Sequence, residues 1–165
     1  MTPTRTALLS VLALVVYGTA SALDLRGISP GDPWDAEKIQ KAFPELQCGP
    51  RSCKEGTVRL GATEVWLSIE ASEDFSVVRL FHLETSRNED FDRLMRTFAQ
   101  KFGRPTGVTI TPMQNGFGAR YVRKVYWWFA RKQEVVCDLD PNNSGLGSCE
   151  LRPRERKPEP PPGPI

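Results

Sequence analysis

Residues 86–105 read SRNEDFDRLMRTFAQKFGRP. Apolar residues recur in this segment at the spacing of one helix face, and they are Phe91, Leu94, Met95, Phe98 and Phe102. Ser86 with Glu89 predicts a capping box, and Asn88 is an alternative cap. Gly103 predicts where the helix ends. Because such a helix must bury its apolar stripe, the segment predicts a helix packed on a sheet.

The flanking sequence predicts the strands of that sheet. Val65, Leu67 and Ile69 alternate with polar neighbours, as expected for a half-buried strand. We predict strands over residues 57–70 (with a bulge at Gly61), 75–85, 108–111, 119–131, 134–139 and 145–151. A first helix is predicted from Asp32-Pro33 to Phe43. The predicted fold class is α+β, an antiparallel sheet of about five strands with two helices packed on one face.

The two ends of the 165-residue chain differ from its middle. Residues 1–22 have the pattern of a secretory signal, with a basic start, an apolar run and the small-x-small site Ala20-Ser21-Ala22. Beyond them no apolar run reaches the length of a membrane span. Residues 23–151 are predicted as one domain. Residues 152–165 carry many of the 14 prolines of the chain and are predicted to be a disordered tail.

Four cysteines remain after the predicted signal: Cys48, Cys53, Cys137 and Cys149. An even number in an exported chain predicts two disulfides, for which three pairings are possible. The local pairing, Cys48–Cys53 with Cys137–Cys149, is favoured because turn-forming residues lie between the members of each pair. Zinc binding or thiol redox chemistry would need closer cysteine spacings. The predicted location is the periplasm or the extracellular space.

Composition excludes several functions. Lys plus Arg number 22 against 20 Asp plus Glu, a balance that argues against nucleic-acid binding. His82 is the only histidine, so one chain cannot form a multi-histidine metal site. We recognise no nucleotide, metalloprotease or serine-hydrolase motif. The sequence predicts no metal, no cofactor and no catalytic residue.

The aromatic run at residues 126–129 is the most unusual feature. In a strand its members alternate between faces. If one face is core, the other exposes Tyr126 and Trp128 beside basic residues, unless both faces are covered. An exposed aromatic pair with flanking bases suits a protein or sugar contact. The loop before the strand would present one more aromatic ring. The predicted binding residues are Phe117, Arg120, Lys124, Tyr126 and Trp128.

A small envelope hydrolase that acts on a glycan or cell-wall substrate is the alternative. Glu64 and Glu84 belong to a group of acids around the first predicted hairpin, and carboxylate pairs perform glycoside hydrolysis. His82 would supply general base catalysis if a nucleophile and an orienting acid lay beside it. Solvated surface charge also explains these residues.

Two stretches resemble a known kind of domain. Gly27-Ile28-Ser29-Pro30-Gly31 precedes a short helix that ends at Phe43-Pro44, and Phe91-x-x-Leu94 leads to Phe102-Gly103-x-Pro105. Both are similar to small exported α+β domains, the outer-membrane assembly lipoproteins of the SmpA/BamE kind and the beta-lactamase-inhibitor-protein fold. The lipoprotein cysteine is absent. The resemblance implies a binding domain without catalytic activity. We therefore expect an exported binding or inhibitory module whose partner is another envelope or extracellular protein.

Overall fold

The computed structural model describes residues 23–130, 132–142 and 146–154. Its elements in chain order are α1 (Ala36–Ala42), β1 (Gln47–Cys48), β2 (Ser52–Leu60), β3 (Thr63–Ala71), β4 (Val78–Glu84), α2 (Asn88–Phe102), β5 (Gly107–Gln114), β6 (Arg120–Phe129), β7 (Gln133–Leu139) and β8 (Gly147–Pro153). The eight strands form one antiparallel sheet in the order β1-β2-β3-β4-β8-β7-β6-β5. The fold is therefore mostly β.

The predicted α+β class with about five strands is wrong. Residues predicted as one strand form two, β2 and β3, because the chain reverses at Gly61. Gly61 adopts a φ of 61°, in the left-handed region that glycine enters without steric cost. The predicted strand over residues 108–111 is only part of β5, and β1 was not predicted as a strand. The helices α1 and α2 have only seven and fifteen residues, so the eight strands dominate the structure.

The sheet consists of two similar halves. α1 is followed by the meander β1–β4, and α2 is followed by the meander β5–β8. The halves join where β4 pairs with β8, with Phe81 opposite Leu151 and Leu83 opposite Cys149. Each half is thus one helix followed by four strands.

The core lies between one face of the sheet and the helices. α2 buries Phe91, Leu94, Met95 and Phe98, the stripe predicted from the sequence. The other contributors include Leu23, Leu25, Ile28, Ile39, Val65, Leu67, Ile69, Phe81, Leu83, Val135 and Leu151. The opposite side of the sheet, which we call the open face, is covered by neither helix. The alternation of Val65, Leu67 and Ile69 correctly predicts which side of β3 is buried.

Both helix starts differ from the predictions. Asp35 rather than Asp32 caps α1, its side chain accepting a hydrogen bond from Lys38 N. The chain before it stays extended because Trp34 N–H donates to Ser76 O at 3.0 Å. At α2, Arg87 is the N-cap and makes no side-chain capping bond, so the predicted capping box does not form. The predicted end of α2 at Gly103 is confirmed.

The predicted signal, residues 1–22, lies outside the described residues. β8 continues through Arg152 and Pro153, so the sheet extends into the segment predicted as tail. Residues 155–165 also lie outside the described part of the chain. Among the residues that are described, no helix is both long enough and apolar enough to cross a bilayer.

The junction of the halves gives a stability prediction. A Cβ at Gly147 would overlap the fully buried ring of Phe91, so Gly147→Ala is expected to lower the free energy of unfolding by about 1–3 kcal/mol. Gly116→Ala is the control, because no heavy atom lies within 4 Å of its added Cβ. We expect the control to change stability by about 0.5 kcal/mol or less. Urea denaturation followed by circular dichroism measures both, and equal losses would contradict this packing.

Candidate functional site

Both predicted disulfides form with the local pairing. Cys48 and Cys53 face each other across β1 and β2, with an S–S distance of 2.06 Å. Cys137 and Cys149 do the same across β7 and β8, also at 2.06 Å. The predicted pairing is confirmed. Two disulfides are characteristic of proteins that fold in an oxidising, non-cytoplasmic compartment.

The predicted binding residues all belong to the hairpin formed by β5 and β6. These strands pair without a register shift from Gly107 opposite Trp127 to Gln114 opposite Arg120. Even-numbered residues of β6 face the helix side of the sheet, and odd-numbered residues face the open face. The helix-side set is Arg120, Val122, Lys124, Tyr126 and Trp128. The structure therefore brings four of the five predicted residues onto one face of one strand.

Trp128 is not a surface residue, and the expectation that it is exposed with Tyr126 is wrong. Its side chain is 2% exposed beneath α2. The indole N–H donates to Gly103 O at 2.9 Å, and the ring meets Phe98 edge-on at 5.9 Å between centroids. Tyr126 is half-buried, with its ring 6.1 Å from that of Phe91. The alternation is correct, but α2 covers the face that was predicted to be free.

The remaining predicted residues lie at the surface. Arg120 is exposed and forms no ion pair within the described residues. Lys124 reaches Asp92 of α2, with Nζ 3.2 Å from Oδ1. Phe117 is 99% exposed at the tip of the hairpin. Side-chain oxygen Oδ1 of Asn115 accepts hydrogen bonds from the backbone of Phe117 (3.1 Å) and Ala119 (2.9 Å), which fixes the turn that presents the ring.

The sequence prediction missed the apolar surface that surrounds these residues. The large hydrophobic side chains exposed on the hairpin are Val108, Ile110, Met113, Phe117, Val122 and Phe129. Among the described residues nine large hydrophobic side chains are exposed in all, so this hairpin carries most of them. The signal was the apolar residues at alternate positions 108, 110 and 112. The prediction placed the first two in a short strand over residues 108–111 and left Pro112 outside it.

The open face carries the second group of candidate residues. His82 Nε2 lies 3.1 Å from Glu84 Oε1, at the edge of a groove of about 380 Å³. Its lining is His82, Glu84, Arg123, Asp138, Asp140, Leu146 and Ser148. The carboxylate of Asp138 pairs with Arg123, and this hydrogen bond raises the pKa of the guanidinium above its usual value.

The groove contains His82 and Glu84 but not Glu64, the third residue suggested for hydrolysis. Glu64 is elsewhere, paired with Arg59 at 3.0 Å. No hydroxyl group in the described residues donates a hydrogen bond to His82, so the geometry provides no activated nucleophile. The described residues also contain no group of three or more His, Cys, Asp or Glu side chains arranged to bind a metal ion.

Comparison with known proteins adds no assignment. No protein-family model, no curated protein and no solved structure matches this chain. The resemblance to exported α+β binding domains thus stays a prediction, and any function has to be argued from the surfaces described above.

The assignment of the two faces of β6 is testable by stability. Trp128→Ala is expected to lower the free energy of unfolding by about 3–5 kcal/mol, since it empties a buried site under α2. Trp66 on the open face is 56% exposed, and Trp66→Ala is the matched control with a loss of about 1 kcal/mol or less. Equal losses in chemical denaturation would contradict the assignment.

A second prediction concerns the turn between β3 and β4. Hydrogen bonds from Ser72 and Ser76 lower the pKa of Asp74 to about 2 from 3.8. Because this pKa is depressed in the folded state, its stabilising effect is present above pH 4 and is lost as pH falls through about 2. An NMR titration of the Asp74 carboxyl carbon measures the value. Ser72→Ala should raise it, and an unchanged pKa in that variant would contradict the hydrogen-bond explanation.

Proposed function

We propose that this protein is a periplasmic binding or inhibitory module without catalytic activity, and that it contacts another envelope protein through the hairpin formed by β5 and β6. The observation that carries the proposal is the concentration of exposed hydrophobic side chains on this hairpin. Exposed apolar groups that cluster on one surface element are typical of protein-binding sites.

Phe117 is the proposed anchor of the contact. Its ring is 99% exposed, and the Asn115 side chain holds the turn in place before any partner binds. A ring presented by an ordered turn loses little conformational entropy on binding, which favours affinity. Aromatic side chains that enter a pocket of the partner contribute much of the binding energy in protein complexes.

Charge supports the same surface. Arg120, one of the predicted contact residues, lies at the start of β6 and is exposed without an ion pair in the described residues. On the open face, by contrast, Arg123 is paired with Asp138 and Arg152 is paired with Glu134. A cation without an intramolecular partner is available to a partner carboxylate, and arginine is enriched at protein interfaces.

The alternative is a small envelope hydrolase that acts on a glycan or cell-wall substrate in the groove of the open face. The contact between His82 and Glu84 favours it. A hydrolase also requires a nucleophile or a pair of carboxylates placed across a substrate. Glu84 and Asp138 line the groove on either side of Ser148, but Asp138 is paired with Arg123, and no hydroxyl group in the described residues donates to His82. The exposed hydrophobic side chains of the hairpin favour the binding function instead.

The test is crosslinking in the native envelope. A tagged wild-type protein is expected to recover one envelope protein in stoichiometric amount, and Phe117→Ser should reduce that recovery about tenfold or more. Trp66→Ser is the control, since it removes an exposed aromatic ring from the open face. Recovery of the protein without a partner would refute the binding function. Loss of the partner in the control but not in Phe117→Ser would refute the surface.

A further inference from the structure

β5 is an edge strand with a free row of backbone hydrogen-bonding groups. In the part of the chain that the structure describes, it is the last strand of the sheet and pairs only with β6. Asn115 N–H donates to Ala119 O at 3.0 Å, immediately beyond the register that pairs Gln114 with Arg120. Bonded and non-bonded pairs alternate along an antiparallel ladder. Odd-numbered residues of β5 therefore bond to β6, and even-numbered residues direct their N–H and C=O groups to the free edge.

Pro112 limits how much of this edge can accept another strand. It occupies one of the even-numbered positions, where a proline removes the N–H that would face a newcomer. Val108 and Ile110 precede it and keep both backbone groups. The edge is thus available from residue 108 to residue 110 and interrupted at residue 112.

Side chains at these positions are apolar and exposed. Val108 is 43% exposed and Ile110 62% exposed, and both face the helix side of the sheet, where Val122 is also exposed. A strand added beside β5 would place its own alternate residues against this apolar row. The partner segment should therefore be apolar at alternate positions.

Basic residues lie at both ends of the free edge. Arg104 is exposed just before β5, and Arg120 is exposed opposite the last residue of β5. Neither forms an ion pair within the described residues. Arg120 belongs to β6 and Arg104 precedes β5, so neither would pair directly with a residue of an added strand. Acidic residues at the ends of such a strand would be attracted to them at longer range, through electrostatic complementarity.

The same charges disfavour a second copy of this chain. If two β5 strands pair antiparallel about Thr109, Val108 of each copy lies opposite Ile110 of the other, and Pro112 stays outside these pairs. Arg104 of each copy then lies near Gln114 of the other, and therefore near its Arg120. A pair centred on Ile110 places Pro112 opposite Val108 and loses two hydrogen bonds. Like charges or missing donors thus weaken either symmetric arrangement.

We propose that the β5 edge from Val108 to Ile110 binds an extended segment of the partner protein as a ninth strand, apolar at alternate positions and acidic at both ends. This inference rests on the proposed binding function and specifies how the hairpin engages its partner. Main-chain hydrogen bonds to β5 supply affinity, and the apolar row with its two arginines supplies specificity.

The probes are two capped octapeptides, Glu-Glu-Val-Thr-Val-Thr-Glu-Glu and the version with lysine at all four glutamate positions. NMR titration of the wild-type protein up to about 2 mM peptide covers the weak affinities expected of a short strand. The acidic peptide is expected to shift the amide signals of Val108 and Ile110 and to bind about tenfold more tightly than the lysine peptide. Absence of shifts on β5, equal binding of both peptides, or shifts confined to the open face would overturn the proposal.

Two matched variants isolate the backbone contribution. Ile110→Pro removes the free N–H without touching a bond to β6 and should weaken binding about tenfold. Ile110→Val keeps both the N–H and an apolar side chain and should bind within about threefold of wild type. Pro112→Val restores a donor to the edge and should tighten binding, so it tests the proposal even where Ile110→Pro fails to fold. An unchanged affinity in Pro112→Val would count against edge pairing.

Two further outcomes separate this inference from the proposed function. Concentration-dependent dimerisation of the free wild-type protein, measured by sedimentation and abolished by Ile110→Pro, would assign the edge to a second copy and overturn the proposal. If crosslinking in the envelope depends on Phe117 but is unaffected by Ile110→Pro, the binding function stands and pairing at the edge is refuted. Loss of the partner in Ile110→Pro but not in Ile110→Val supports both.

Discussion

The pairing of β4 with β8 joins the two halves of the sheet, and one short contact at its end fixes how they meet. Thr85 is fully buried, and its hydroxyl bonds to the backbone of Gly147, where Oγ1 lies 3.2 Å from the carbonyl O and 3.1 Å from N. The missing side chain of Gly147 leaves space for Phe91 of α2. Because a buried hydroxyl without partners is costly, the Thr85 contact stabilises the register of β4 against β8. The packing of Phe91 against Gly147 places α2 at the same junction.

The two halves are covered to different extents, and this difference creates the proposed binding surface. α1 and the segment with Leu23, Leu25 and Ile28 bury apolar residues on the helix side of the sheet. α2 packs on Trp128, reaches Tyr126 and pairs its Asp92 with Lys124, but β5 and the part of the hairpin before Lys124 extend beyond its cover. Val108, Ile110 and Val122 consequently stay exposed on a face that is core elsewhere.

Charge distinguishes this surface from the open face. The open face has many ionic side chains, yet Arg59, Arg79 and Arg123 are each paired with a carboxylate on it. His82 on this face contacts Glu84, and no hydroxyl group in the described part of the chain forms a hydrogen bond with the imidazole ring. At the β5 edge, Arg104 and Arg120 form no ion pair within the described residues. Free backbone groups, exposed apolar side chains and these two charges thus coincide at one edge of the sheet, the combination on which the proposed contact is based.

The local features were predictable from the sequence: the apolar stripe of α2, its end at Gly103, the buried side of β3 and the disulfide pairing. These depend on residues close together in the chain, so their patterns can be recognised without a fold. The turn at Gly61 was read as a bulge. The buried apolar positions change there from even numbers (Val58 and Leu60) to odd numbers (Val65 and Leu67), and a bulge shifts the alternation in the same way. Alternation also divides Tyr126, Trp127, Trp128 and Phe129 into two sets without saying which set faces α2. Which set faces α2, and that β4 pairs with β8, could be seen only in the folded structure, because both depend on contacts between distant parts of the chain.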